Sequence, residues 1–80
     1  MATAADVDER IREVMAGILE LDPVAITGDL ARDDAPSWDS LNHLRLVSAL
    51  EEAFGIRFTM REVGELDGFE TIRRKVSERV

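Results

Sequence analysis

Asp39, Ser40 and His43 are the residues of this chain that first invite a chemical reading. A serine and a histidine three positions apart on a helix can touch, and an aspartate beside them completes the side-chain types of a nucleophilic hydrolase. The order of the residues argues against it. Asp39 directly precedes the serine, so it is badly placed to orient the far ring nitrogen of His43. No G-x-S-x-G elbow is present, and 80 residues leave little room for a pocket with an oxyanion hole. A different chemistry suits Ser40 better. Asp and Ser before a helix are first of all N-cap residues. A serine there also sits beside the positive end of the helix dipole, where a phosphodiester is well tolerated. Asp29, Asp33 and Asp34 do not follow the spacing of a calcium loop and read as a solvated acidic stretch.

The elements that must position Ser40 read as helices, with no alternation long enough for a strand. Asp6 and Glu9 have capping-box spacing and predict the start of a first helix. Val7, Ile11, Val14, Met15 and Ile18 give it one apolar stripe, and Pro23 bars it from running far past Leu21. A long connection follows, from about Asp22 to Asp39, holding both prolines and Gly28. Val24, Ile26, Leu30 and Trp38 are placed to pin it to the core, which predicts an ordered loop. The second helix is predicted over Ser40 to Phe54 with Gly55 as its C-cap. Thr59 and Glu62 open a short third helix, and Asp67 and Glu70 repeat the capping spacing before a last helix with Phe69, Ile72, Val76 and Val80 inside. The expected fold is all-α: a small bundle of three main helices plus one short helix, with a long loop between the first and second. Residues 1–80 read as one domain.

A helical wheel sharpens the second helix. At ~100° per residue, His43, Leu46, Val47, Leu50 and Phe54 share a broad apolar sector opposite Leu41. Leu44, Arg45, Ser48 and Glu52 fall close to Leu41, so two leucines stand on the solvated side beside Ser40. Single exposed leucines are common, and Leu41 has the alternative of folding under the loop against Trp38. An apolar pair ringed by polar residues is nonetheless the form of a contact surface.

Composition bounds the partners. The net charge of −7 disfavours nucleic acid and favours partners with basic faces. Residues 69–80 carry +2 and the remainder −9, so the last helix is not the face for a basic partner. The chain has no cysteine, hence no disulfide, which suits a reducing compartment. MATAADVDER has neither a basic start nor an apolar run, so it does not read as a signal peptide, and no apolar stretch approaches membrane-spanning length.

With these residues in view, the chain resembles the acyl carrier proteins, both stand-alone carriers and the carrier domains of polyketide and peptide synthases. The resemblance centres on Asp39-Ser40-Leu41 followed by the run from Leu46 to Gly55, LVSALEEAFG. LDPVAITGDL in the long loop, IRFT before the short helix, and the closing helix fall in family order, so it covers almost the whole chain. The resemblance implies a non-catalytic carrier. Its serine, Ser40 here, takes a 4′-phosphopantetheine arm from coenzyme A through a phosphopantetheinyl transferase. The arm's thiol then carries an acyl group as a thioester.

The family's pattern also implies roles for other residues. Asp39 caps the helix and helps the transferase, whose metal site lies nearby. Leu41 and Leu44 are apolar anchors for acyl-loading, ketosynthase or other acyl-processing enzymes. Ser48, Glu51 and Glu52 extend that face, and Met60 and Val63 line the route of the arm. The sequence departs from many fatty-acid carriers at Asn42, Arg45, Met60 and Arg61, where acids are common. Asp33, Asp34, Asp39, Glu51, Glu52 and Glu62 remain as acidic contact residues. The departures point to a dedicated carrier of a polyketide, hybrid or modified-acyl pathway, with Arg45 discriminating among partners. Ser37-Trp38-Asp39 replaces the G-G-x-S signature of peptidyl carriers, which disfavours an aminoacyl cargo. The protein is expected to be a free, cytoplasmic monomer, the free state being favoured by Met1 and a complete helix set. The rival reading is an unmodified interaction module using the Leu41/Leu44 patch.

Overall fold

The computed structural model describes residues 3–80; Met1, on which the free-protein expectation leans, lies outside the described residues. Four α-helices follow one another: α1 (Ala4–Leu19), α2 (Ser40–Phe54), α3 (Met60–Glu65) and α4 (Phe69–Ser77). The expected all-helical bundle is what forms, three main helices and one short one, and no strand occurs among the described residues.

α1 starts earlier than Asp6 and Glu9 predict. The Thr3 hydroxyl accepts the Asp6 N–H and the Asp6 carboxylate accepts the Thr3 N–H, both at 3.2 Å. Asp6 is therefore the third helical residue, and Ala4 and Ala5, strong helix formers, fill the turn before it. Val7, Ile11, Met15 and Leu19 recur every four residues and are buried, while Val14 and Ile18 flank them half-buried. Glu20 ends the helix in the left-handed conformation (φ 55°). There the Leu21 N–H turns back onto the Ala16 carbonyl at 3.1 Å.

The connection to α2 is ordered, through anchors that only partly match expectation. Ile26, Ala35 and Trp38 are buried and Leu30 is partly so. Val24 is a correction, since it stands exposed. It lies in a 3-10 turn, Pro23–Ala25, capped by the Asp22 carboxylate, and this turn sends Val24 outward and leaves Ile26 to enter the core. Two arginines tie the loop down. Arg12 donates from Nε to the Ile26 carbonyl at 2.9 Å and lies 5.0 Å over the Phe69 ring. Arg32 donates from Nε to the Trp38 carbonyl at 3.2 Å.

α4 also starts differently. Asp67 and Glu70 do not form a capping box; Gly68 is the N-cap, Asp67 accepts the Thr71 hydroxyl, and Glu70 pairs with Arg73. The backbone around Gly68 is committed to the loop, with Arg32 N–H on the Asp67 carbonyl at 2.8 Å and Phe69 N–H on the Leu30 carbonyl at 3.0 Å. A Cβ at Gly68 would lie 2.9 Å from that Leu30 oxygen, so only glycine permits the approach. Phe69, Ile72 and Val76 are buried as expected, but Val80 is exposed because α4 ends at Ser77 and its stripe is not carried on. α1 packs against both α2 and α4, and the shared core fills the space between them.

Candidate functional site

The pinned loop delivers Trp38 into the core immediately before Ser40. The Trp38 indole N–H donates to His43 Nδ1 at 2.9 Å, and the two rings stack with centroids 6.1 Å apart. An indole nitrogen can only donate, so His43 Nδ1 is the acceptor and Nε2 carries the proton. That Nε2–H reaches the Val63 carbonyl at 2.7 Å. One neutral imidazole thus joins the loop, α2 and α3. This relay was not read from the sequence; the lone tryptophan and lone histidine five residues apart were its only signal.

Asp39 caps α2 as expected. Its carboxylate accepts the Asn42 N–H at 2.8 Å and its carbonyl accepts the His43 N–H at 2.8 Å. The Asn42 amide ties back to the Ser37 carbonyl at 2.7 Å. Ser40, held between these contacts, is exposed as the first residue of the 15-residue α2, and its hydroxyl has no hydrogen bond among the described residues. A hydrolase is ruled out by the same geometry. His43 is buried with both nitrogens engaged elsewhere, and Asp39 spends its carboxylate on the cap.

The other three serines offer poorer settings for a phosphodiester. The Ser37 hydroxyl is buried, Ser48 lies in mid-helix, and Ser77 ends α4 at the negative pole of its dipole.

The wheel holds for the leucines. Leu41 is 57% exposed and Leu44 60%, so Leu41 does not fold under the loop, where Trp38 is buried. His43, Leu46, Val47 and Leu50 are buried on the opposite face and Phe54 is partly so. Leu44, Arg45, Ser48 and Glu52 line one shallow groove with Ile18 and Ala49. Met60 is 87% exposed at the start of α3, whereas Val63 is half-buried against the core.

Two of the expected contact acids are placed otherwise. Glu51 accepts the Phe58 N–H at 2.9 Å and holds the turn between α2 and α3. Glu62 completes the Thr59 capping box and pairs with Arg79, with Lys75 at 3.8 Å. The Thr59 N–H and then Arg79 hold its carboxyl below the ordinary value of 4.5.

A family model described as "Phosphopantetheine attachment site" matches residues 9–75. The chain belongs to that family. It is a carrier domain, not a catalyst, and its prosthetic group is covalent 4′-phosphopantetheine. The structure fits such a group: an exposed, unengaged hydroxyl at the positive end of a long helix is available for a phosphodiester. Membership also implies a phosphopantetheinyl transferase and acyl-processing enzymes as partners. No described helix is long and apolar enough to cross a membrane.

Proposed function

We propose that the chain is a cytoplasmic, monomeric acyl carrier with its arm on Ser40, dedicated to a polyketide, hybrid or modified-acyl pathway. The observation that carries Ser40 is its setting, an exposed hydroxyl at the N-terminus of α2 with capped backbone on both sides. When attached, the arm supplies the terminal thiol that holds the acyl group. Ser40 contributes the oxygen of the phosphodiester, and the helix end favours its negative charge by about 0.3–1 kcal/mol. The chain's imidazole, His43, is committed to the relay and does not take the serine proton. Asp39 keeps the first turn formed around Ser40 and gives the transferase a carboxylate beside it.

Leu41 and Leu44 act as apolar anchors for partner enzymes, and Ser48 and Glu52 extend that face. Met60 and Val63 border the path of the arm. Glu51 supports the face from behind by holding the Phe58 backbone. The specialised pathway is supported by Asn42, Arg45, Met60 and Arg61, which stand where acids are common in fatty-acid carriers. Ser37-Trp38-Asp39 in place of G-G-x-S favours an acyl over an aminoacyl cargo.

Incubation with coenzyme A and a broad-specificity phosphopantetheinyl transferase, followed by intact mass, tests the reading. One phosphopantetheine adduct is expected in the wild type and in Ser48→Ala, and none in Ser40→Ala. An adduct that persists in Ser40→Ala overturns the assignment. No adduct on the wild type favours the unmodified interaction module.

A further inference from the structure

Consecutive carbonyls lead into Ser40, and each is held by a different donor. The Ser37 carbonyl accepts the Asn42 side-chain amide at 2.7 Å, the Trp38 carbonyl accepts Nε of Arg32 at 3.2 Å, and the Asp39 carbonyl accepts the His43 N–H at 2.8 Å. The Trp38 N–H is engaged as well, on the Ala35 carbonyl at 2.9 Å. The hold on Asp39 is the opening backbone bond of α2, which every helix makes and which no side-chain substitution removes. The hold on Trp38 comes from the loop. The hold on Ser37 is different, because it is made by a side chain of α2 itself.

Asn42 meets this turn twice. Its backbone N–H is capped by the Asp39 carboxylate at 2.8 Å, and its side chain reaches back five residues to Ser37. Ser40 and Leu41 lie inside the ring that the second bond closes, and both are exposed while Asn42 is half-buried. The orientation of the amide is fixed from two sides. The Ser37 carbonyl can only accept, so the Asn42 NH2 faces it, and the Arg45 guanidinium, which can only donate, stands 3.5 Å from the Asn42 oxygen. A carboxylate, common at this position in fatty-acid carriers, would set an acceptor against the Ser37 carbonyl and could not make the bond. The result is a free hydroxyl carried on a tethered backbone, the condition under which a nucleophile loses least freedom on reaching its reaction partner.

We infer that Asn42 is a positioning residue for arm transfer: its side-chain amide closes the turn from Ser37 and holds the Ser40 backbone so that the hydroxyl is presented in one attitude. In that transfer the Ser40 oxygen bonds to phosphorus and the pyrophosphate bond of coenzyme A breaks, with adenosine bisphosphate leaving and the serine proton released to solvent. Asn42 touches none of the reacting atoms and acts through the Ser37 carbonyl alone. The inference rests on the carrier reading, with Ser40 as the attachment residue, and adds how this chain presents it.

The test first checks by intact mass that the wild type takes the arm and Ser40→Ala does not, so that failure of the carrier reading shows before Asn42 is tested. Asn42→Asp keeps the shape of the side chain and removes the donor; Asn42→Leu removes it without adding charge. Asn42 is the third residue of α2, where an acid complements the helix dipole, so Asn42→Asp is expected to keep a Tm close to that of the wild type. In single turnover at saturating transferase, both variants are expected to take the arm about tenfold more slowly, with the half-saturating transferase concentration changed by less than about twofold. Backbone order parameters of the apo protein give a second readout: Ser40 and Leu41 are expected to match the middle of α2 in the wild type and to fall below it in both variants. Ile72→Val, at a buried site in α4, is the structural control and is expected to lower Tm without slowing transfer. An unchanged rate in the Asn42 variants, slowing in Asn42→Asp alone, or a loss confined to half-saturation overturns the inference. So do unchanged order parameters, or an equal slowing in Ile72→Val.

Discussion

His43→Leu tests the account of how Ser40 is held in place. The substitution keeps an apolar side chain on the core face of α2 and removes both hydrogen bonds of the imidazole. Trp38 is 3% exposed, so its indole N–H has no route to water and is left unsatisfied. An orphaned buried donor of this kind costs about 1–3 kcal/mol. The Val63 carbonyl belongs to a half-buried residue and costs about 1 kcal/mol, at the lower end of that range. The more apolar leucine returns about 1 kcal/mol. The expected net loss is about 1–3 kcal/mol, or a fall of about 5–20 °C in Tm for a domain of this size. Urea unfolding followed by far-UV circular dichroism measures it without relying on the tryptophan. Trp38→Phe completes a double-mutant cycle, with a coupling of about 1 kcal/mol or more expected. Additive costs, or a loss below about 0.5 kcal/mol for His43→Leu, would refute the relay. The same variant probes the chemistry. Folded His43→Leu is expected to accept the arm at close to the wild-type rate, because the imidazole does not face Ser40. A fall of about 100-fold with the fold intact would return a proton-transfer role to His43.

Leu44→Ala is expected to leave Tm nearly unchanged, because its side chain is already mostly in solvent, and to weaken transfer to partner enzymes by about 1 kcal/mol or more. Leu50→Ala is expected to do the reverse, losing about 2–5 kcal/mol of stability from a fully buried site; equal thermal costs for the two would place both leucines in the core. Glu62 predicts an acid dependence. Its carboxyl is held below 4.5 in the folded chain by the Thr59 N–H and Arg79, so its contribution is complete above that value and is lost as pH falls through the folded one. Thermal unfolding between about pH 5 and pH 3 is therefore expected to be less pH-dependent in Glu62→Gln than in the wild type, and an unchanged slope would mean that α3 is not tethered through this carboxylate.

Much of the fold was legible because the signals were local. The cap, the spacing of apolar residues and the stop glycine of α2 lie within one continuous stretch, and they placed its ends at Ser40 and Phe54, where they are found. The outward turn of Leu41 and Leu44 followed from the same geometry, since the angle around one helix axis depends only on the residues between. Errors gathered where a residue had a choice of partner. Asp6 is capped by Thr3 instead of capping, Asp67 lost its cap role to a backbone bridge near Gly68, and Val24 and Val80 were counted inside because their residue type, not their surroundings, was read.

The sequence by itself determined the helical order, the exposed serine at the head of α2 and the family pattern around it, because each is written in neighbouring residues. Tertiary structure decided which side chains remain free to act. His43 became a strut when Trp38 and Val63 arrived from the loop and from α3. Glu51 and Glu62 turned inward when Phe58, Lys75 and Arg79 came within reach, and Arg57 and Arg61 paired with Glu51 and Glu65. A sequence counts charges, but their pairing depends on contacts between residues far apart along the chain, so which acids stay exposed was settled only by folding.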